Sequence, residues 1–118
     1  MNKREQLEAL VQELRRALPE LRGAVVASAD GLPVVADAPD ATRLAAMAAT
    51  ALGLGKRISQ TTQLGRLAET VVRGSDGYVV VYAAGDKGVL ALIAPADANL
   101  GLVHLEARDV AGRLAEVI

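Results

Sequence analysis

Cysteine, tryptophan and phenylalanine are all missing from this sequence, and its 118 residues include a single histidine. Without cysteine there can be neither a disulfide nor a thiolate metal site, and a reducing compartment suits such a chain. The lone histidine, His104, has no second histidine or cysteine with which to build a metal cluster or a nucleophilic pair, so it reads as structural or interfacial. An excess of one charge is missing too: 13 basic and 14 acidic residues leave a net charge of −1. That balance lacks the electrostatic footprint of a nucleic-acid binder, and neither sign dominates enough for a membrane surface. The longest uncharged run, Leu44 to Gly55, falls well short of the roughly 20 apolar residues a spanning helix needs. The charged opening, Met1 to Glu8, has no apolar signal-peptide region. A cytoplasmic protein without membrane insertion, cofactor or metal is expected.

Apolar residues make up 52% of the chain, yet its only aromatics are Tyr78 and Tyr82. The core must therefore be built from Leu, Val, Ile and Ala. The length suits one domain, and folding at that size hides about two-thirds of the unfolded surface. Small side chains each bury little area, at about 25 cal/mol per Å², so extra burial against a partner is favourable.

Residues 3 to 18 show helical periodicity in Leu7, Leu10, Val11, Leu14 and Leu18, and Pro19 stops the pattern. Gly23 to Ser28 and Leu32 to Ala36 are apolar runs joined by Asp30-Gly31, a hairpin signal, and Pro33 places the second run at a sheet edge. Asp40 is the expected N-cap of a helix from about Ala41 to Gln63. Three strands follow, Leu67 to Arg73, Tyr78 to Ala83 and Val89 to Ala94, linked by Gly-rich turns. Asp97 or Asn99 caps a last helix with the stripe Val103, Ala107, Val110, Leu114 and Val117. Ala24 to Ala27, Val79 to Ala83 and Val89 to Ala94 are apolar on both alternations, so both sheet faces are covered. Short connections then favour a five-stranded sheet in the order 2-1-5-4-3 within a single domain, residues 1 to 118.

The middle helix carries the functional signal. From Leu44 to Gly55 it has no charge, and Thr50 is its only polar side chain. Leu44, Ala48, Ala51, Gly55 and Ile58 are expected to face the sheet, with Ala46, Ala49 and Gly53 on the opposite side. A surface helix would be charged there, so a second protein surface is expected to cover it. Gly53 and Gly55 each cost about 1 kcal/mol relative to Ala, a cost consistent with close approach by another helix, or else with Gly55 easing packing on the sheet and Gly53 being merely tolerated. A homodimer would bring this surface against itself, and the strand at Leu67 to Val72 could join its symmetry mate. Lys56, Arg57, Arg66 and Arg73 flank this surface, either as a solvated rim or to steer an acidic partner. Gly55-Lys56 is not a phosphate-binding loop, since Thr50 stands where its first Gly belongs and Arg57 where Ser or Thr should follow. The scattered carboxylates show no acid/base pair, and no enzyme is expected.

Gly23-Ala-Val-Val with Asp30-Gly31-Leu32, the Ala-rich middle helix, Glu69-Thr-Val-Val with Gly77-Tyr-Val-Val, and Ala98-Asn-Leu-Gly-Leu-Val103 before Glu106 extend over almost the whole chain. Together they resemble bacterial members of the Roadblock (dynein light chain) family, of the gliding-polarity-regulator type. His104 stands where such relatives often have Arg. The resemblance implies a profilin-like α/β sandwich: a five-stranded antiparallel sheet with one helix on one face and two on the other. It also implies a homodimer that binds and regulates a small Ras-like GTPase. The paired helices would use Ala46, Ala49, Thr50, Gly53, Leu54 and Arg57, and the paired strands Leu67, Glu69 and Val71. No residue matches an arginine finger, so any activation would act through the GTPase's own residues. The alternative is a scaffold that assembles a signalling or cytoskeletal complex without touching a GTPase.

Overall fold

A computed structural model describes all of residues 1–118. The elements run α1 (Lys3–Ala17), β1 (Gly23–Ser28), β2 (Pro33–Asp37), α2 (Ala41–Thr61), β3 (Thr70–Gly74), β4 (Gly77–Ala84), β5 (Gly88–Pro95) and α3 (Leu100–Val117). All five strands form one antiparallel sheet in the order β2-β1-β5-β4-β3. No helix is long and apolar enough to cross a membrane.

Strand alternation divides the core into two layers. Ala24 and Val26 of β1, Val80 and Tyr82 of β4, and Leu90 and Leu92 of β5 face α1 and α3. Those helices contribute Leu7, Val11 and Leu14, and Val103, Ala107, Val110 and Leu114. Val25, Ala27, Val81, Val89 and Ala91 face the other way, against Ala45, Ala48 and Leu52 of α2. One helix on one face and two on the other is thus what the strands require, because every central strand is apolar on both sides.

Local chemistry sets the ends. Asn2 accepts from the Glu5 amide at 2.8 Å and the Glu5 carboxylate accepts from the Asn2 amide at 3.5 Å, a reciprocal cap that starts α1. Asn99 caps α3 by accepting from the Leu102 amide at 3.1 Å. Asp40 does not cap α2. Its backbone is left-handed, with φ 53° and ψ 39°, and its side chain makes no capping hydrogen bond, a conformation that Asp tolerates better than most residues. Pro33 opens the edge strand β2, where its missing donor removes no ladder bond.

β3 begins at Thr70 rather than Leu67, so Leu67 and Glu69 precede the ladder. Each is drawn to a different layer: Leu67 packs with the α2 core, and Glu69 forms an ion pair with Arg108 of α3. A residue pulled off the sheet plane in this way cannot keep strand register.

Candidate functional site

The sheet side of α2 is a line of small residues. Ala45, Ala48, Leu52 and Ser59 are buried, and Leu44 and Ala49 pack partly with them. Away from the sheet, Met47, Leu54 and Ile58 are exposed by 54%, 56% and 51%. Their separations of seven and four residues align them on one stripe. Ile58 was expected to face the sheet. The buried position at that end of the helix belongs instead to the next residue, Ser59, which rotates Ile58 outward.

Alongside this stripe lies the edge strand. Thr70 and Val72 pair with Val81 and Val79, so they share the sheet face that carries α2. Val72 is 54% exposed at the mouth of a wholly apolar cleft of about 200 Å³, lined with Leu44, Met47, Ala51 and Val79 among others. Val71, which the family resemblance placed on the paired strands, pairs with Val80 and faces the α3 side. The outer edge of β3 has no neighbouring strand.

The other sequence candidates separate by position. Ala46, Thr50, Gly53, Leu54 and Arg57 are exposed on α2. Ala49 is half-buried beside the β1–β2 turn, whose Gly31 adopts φ 89° and comes so close that a β-carbon there would lie 3.0 Å from Ala46 Cα. Gly53 and Gly55 differ completely. Nothing lies within 4 Å of where a Gly53 β-carbon would stand, whereas one on Gly55 would strike Thr70 Oγ1 and lie 3.1 Å from Leu67 Cδ2. Gly55 therefore lets the loop before β3 close on α2, and Gly53 leaves an open patch of backbone that another chain could approach.

One cluster was not legible in the sequence. The Tyr82 hydroxyl and His104 Nδ1 share a hydrogen bond of 2.7 Å, with the rings edge to face. Glu69 Oε1 lies 3.7 Å from the same nitrogen and 2.6 Å from Arg108 Nη2. Burial, and then the nearby Glu69 charge, push the Tyr82 phenol well above its ordinary range. The phenol stays neutral, and the cluster ties the start of β3 to α3. With Leu67 held by α2 on the other side, the edge strand is clamped between both helical layers. Only the fold brings positions 69, 82, 104 and 108 together, and no local pattern announces it.

No group of three or more His, Cys, Asp or Glu side chains converges to hold a metal. What the arrangement presents is an apolar stripe, an apolar cleft and an unpaired strand edge, side by side.

The sequence model of the Roadblock/LC7 domain matches residues 7–94. An uncharacterised protein of Methanocaldococcus jannaschii is 30% identical over 111 residues, 92% of this chain and 92% of that one. Among solved structures, a Roadblock/LC7 domain from Streptomyces avermitilis superposes with a TM-score of 0.82 at 25% identity, covering 92% of this chain and 93% of that one. The gliding protein MglB of Thermus thermophilus gives 0.78 at 23% identity, covering 95% and 90%; at that identity it bears on the fold alone.

Proposed function

Because the chain belongs to the Roadblock/LC7 family, we propose that it is a cytoplasmic homodimeric regulator or adaptor that binds a small Ras-like GTPase. The observation that carries this reading is the apolar stripe of Met47, Leu54 and Ile58 beside the unpaired edge of β3. Half-exposed aliphatic side chains at regular helical spacing gain free energy only when another surface removes them from water. A second copy suits the geometry: about a two-fold axis, α2 meets α2 while β3 meets β3, closing the cleft and the strand edge in one isologous contact. Dimerisation would leave the rest of the molecule free to engage the GTPase.

Membership of the Roadblock/LC7 family supports a regulatory or adaptor role. Pull-down of the host's small GTPase in its GDP and GTP states, with a GTP hydrolysis assay, tests the reading. Binding in at least one state is expected; no binding in either state removes the GTPase from the proposal and leaves a scaffold.

A further inference from the structure

Between the end of α2 and the β4–β5 turn lies a cleft of about 420 Å³ that shares no residue with the apolar stripe. Lys56 and Gln60 of α2, Arg66 of the following loop and Asp86 of the turn supply its polar side chains. Leu67, Ala68 and Ala83 form a small apolar wall. Side chains two apart on a helix point about 200° away from each other. Lys56 is two residues from both Leu54 and Ile58, and Gln60 is two from Ile58. The cleft therefore opens on the flank of α2 turned away from the surface proposed for a second copy.

The walls are held from behind. Leu67 packs with the α2 core. Gly85, with φ 68°, lies so close to α3 that a β-carbon there would stand 3.0 Å from Ala115 Cβ. The Lys87 carbonyl accepts from the Ala29 amide at 2.8 Å, which braces the turn against its neighbour. The donors, in contrast, are uncommitted. Neither Lys56 nor Arg66 forms an ion pair, with Asp86 or with any other carboxylate. The Leu64 amide donates to the Ser59 carbonyl at 2.9 Å, but no amide from Gly65 to Glu69 has a protein acceptor.

We propose that this cleft binds a phosphate group, as the free ion or as the head of a small ester. Two cations against one carboxylate leave the lining positive. An ammonium, a guanidinium fork, a carboxamide and loop amides offer donors from separate segments. That suits a tetrahedral group with three terminal oxygens and nearly two charges better than a planar carboxylate with two oxygens. The volume exceeds what phosphate alone needs and falls within the range of small-molecule sites, and the Leu67 and Ala83 wall can cover a short carbon body. No aromatic side chain lines the cleft, so a nucleobase has nothing to stack on. A phosphate-binding loop is not involved, because Lys56 lies well inside α2. The site goes beyond the regulator reading and does not rest on it.

The test titrates the full, ¹⁵N-labelled chain with inorganic phosphate and with glycerol 3-phosphate, followed by amide chemical shifts. Glycerol is the blank, and succinate is the carboxylate control. Saturable shifts are expected at the amides of residues 65–68 and at Gly85. Tighter binding of glycerol 3-phosphate identifies the ester as the ligand form, and tighter binding of phosphate identifies the free ion. Affinity should fall about tenfold or more in Lys56→Gln/Arg66→Gln and change little in Lys3→Gln/Arg16→Gln, which removes the same charge from α1. Asp86→Asn should tighten binding a few-fold by removing the one opposing charge. Circular dichroism checks the fold of each variant. Binding should persist in Leu54→Glu, whose protomers are expected to separate, so the outcome is independent of the dimer. The absence of saturable shifts, equal weakening in both double variants, weaker binding in Asp86→Asn, or succinate binding as tightly as phosphate overturns the proposal.

Discussion

Leu54→Ala is the sharpest probe of the proposed dimer, because Leu54 is 56% exposed and belongs to neither core cluster. Burying a whole Leu side chain is worth about 1.5–3 kcal/mol, so covering its exposed half contributes about 1 kcal/mol per protomer. An isologous contact counts each residue twice, which gives about 2 kcal/mol per dimer. At 1.4 kcal/mol per decade, the dimer dissociation constant should rise about 30-fold, while the monomer's stability stays near wild type. Sedimentation equilibrium over a concentration series measures this, with denaturant melts of the same samples as the control for folding. An unchanged dissociation constant, or a wild-type protein that is monomeric at high concentration, refutes the reasoning. Leu54→Glu should separate the protomers more completely, since it adds desolvation of a carboxylate to the lost apolar contact.

Three further outcomes follow from the packing. Gly53→Ala should stabilise the fold by about 0.5–1 kcal/mol through helix propensity, because its β-carbon meets open space, whereas Gly55→Ala should destabilise it by about 1–3 kcal/mol by forcing Thr70 and Leu67 away from α2; thermal melts of the pair decide, and equal shifts would contradict the geometry. The raised pKa of Tyr82 gives a pH signature. Below the unfolded value of 10.0 the phenol is neutral in both states, so its contribution is fully present there. Above that value the unfolded chain loses a proton that the folded one keeps, and stability falls by at most about 1.4 kcal/mol per pH unit. Tyr82→Phe should flatten that alkaline decline, as measured by denaturant midpoints across the range. Glu69→Ala should loosen the start of β3, seen as faster amide hydrogen exchange around Thr70, with α1 unaffected.

Much of the fold was readable from residue order, because periodicity and turn chemistry act locally. The double alternation of β1, β4 and β5 demanded cover on both faces, and Pro33 marked an edge. The order β2-β1-β5-β4-β3 then followed from short connections. The uncharged stretch of α2 pointed to the proposed contact surface for a similar reason: an amphipathic helix that lacks its charged face shows that lack in the sequence alone.

Rotation about the helix axis was settled only by tertiary packing. Ser59 occupies the buried position and turns Ile58 out, so the exposed stripe is Met47, Leu54 and Ile58, while Ala49 is half-buried near the Gly31 turn. Strand parity at β3 likewise depended on where the ladder starts. With Leu67 held by α2 and Glu69 by α3, pairing begins at Thr70 and Val72, not Val71, faces the cleft. The Glu69, Tyr82, His104 and Arg108 cluster has no sequence signature, because its members lie on three separate segments. Local sequence determines which elements form and how apolar they are; which way a side chain faces is decided by the neighbours that only the closed fold supplies.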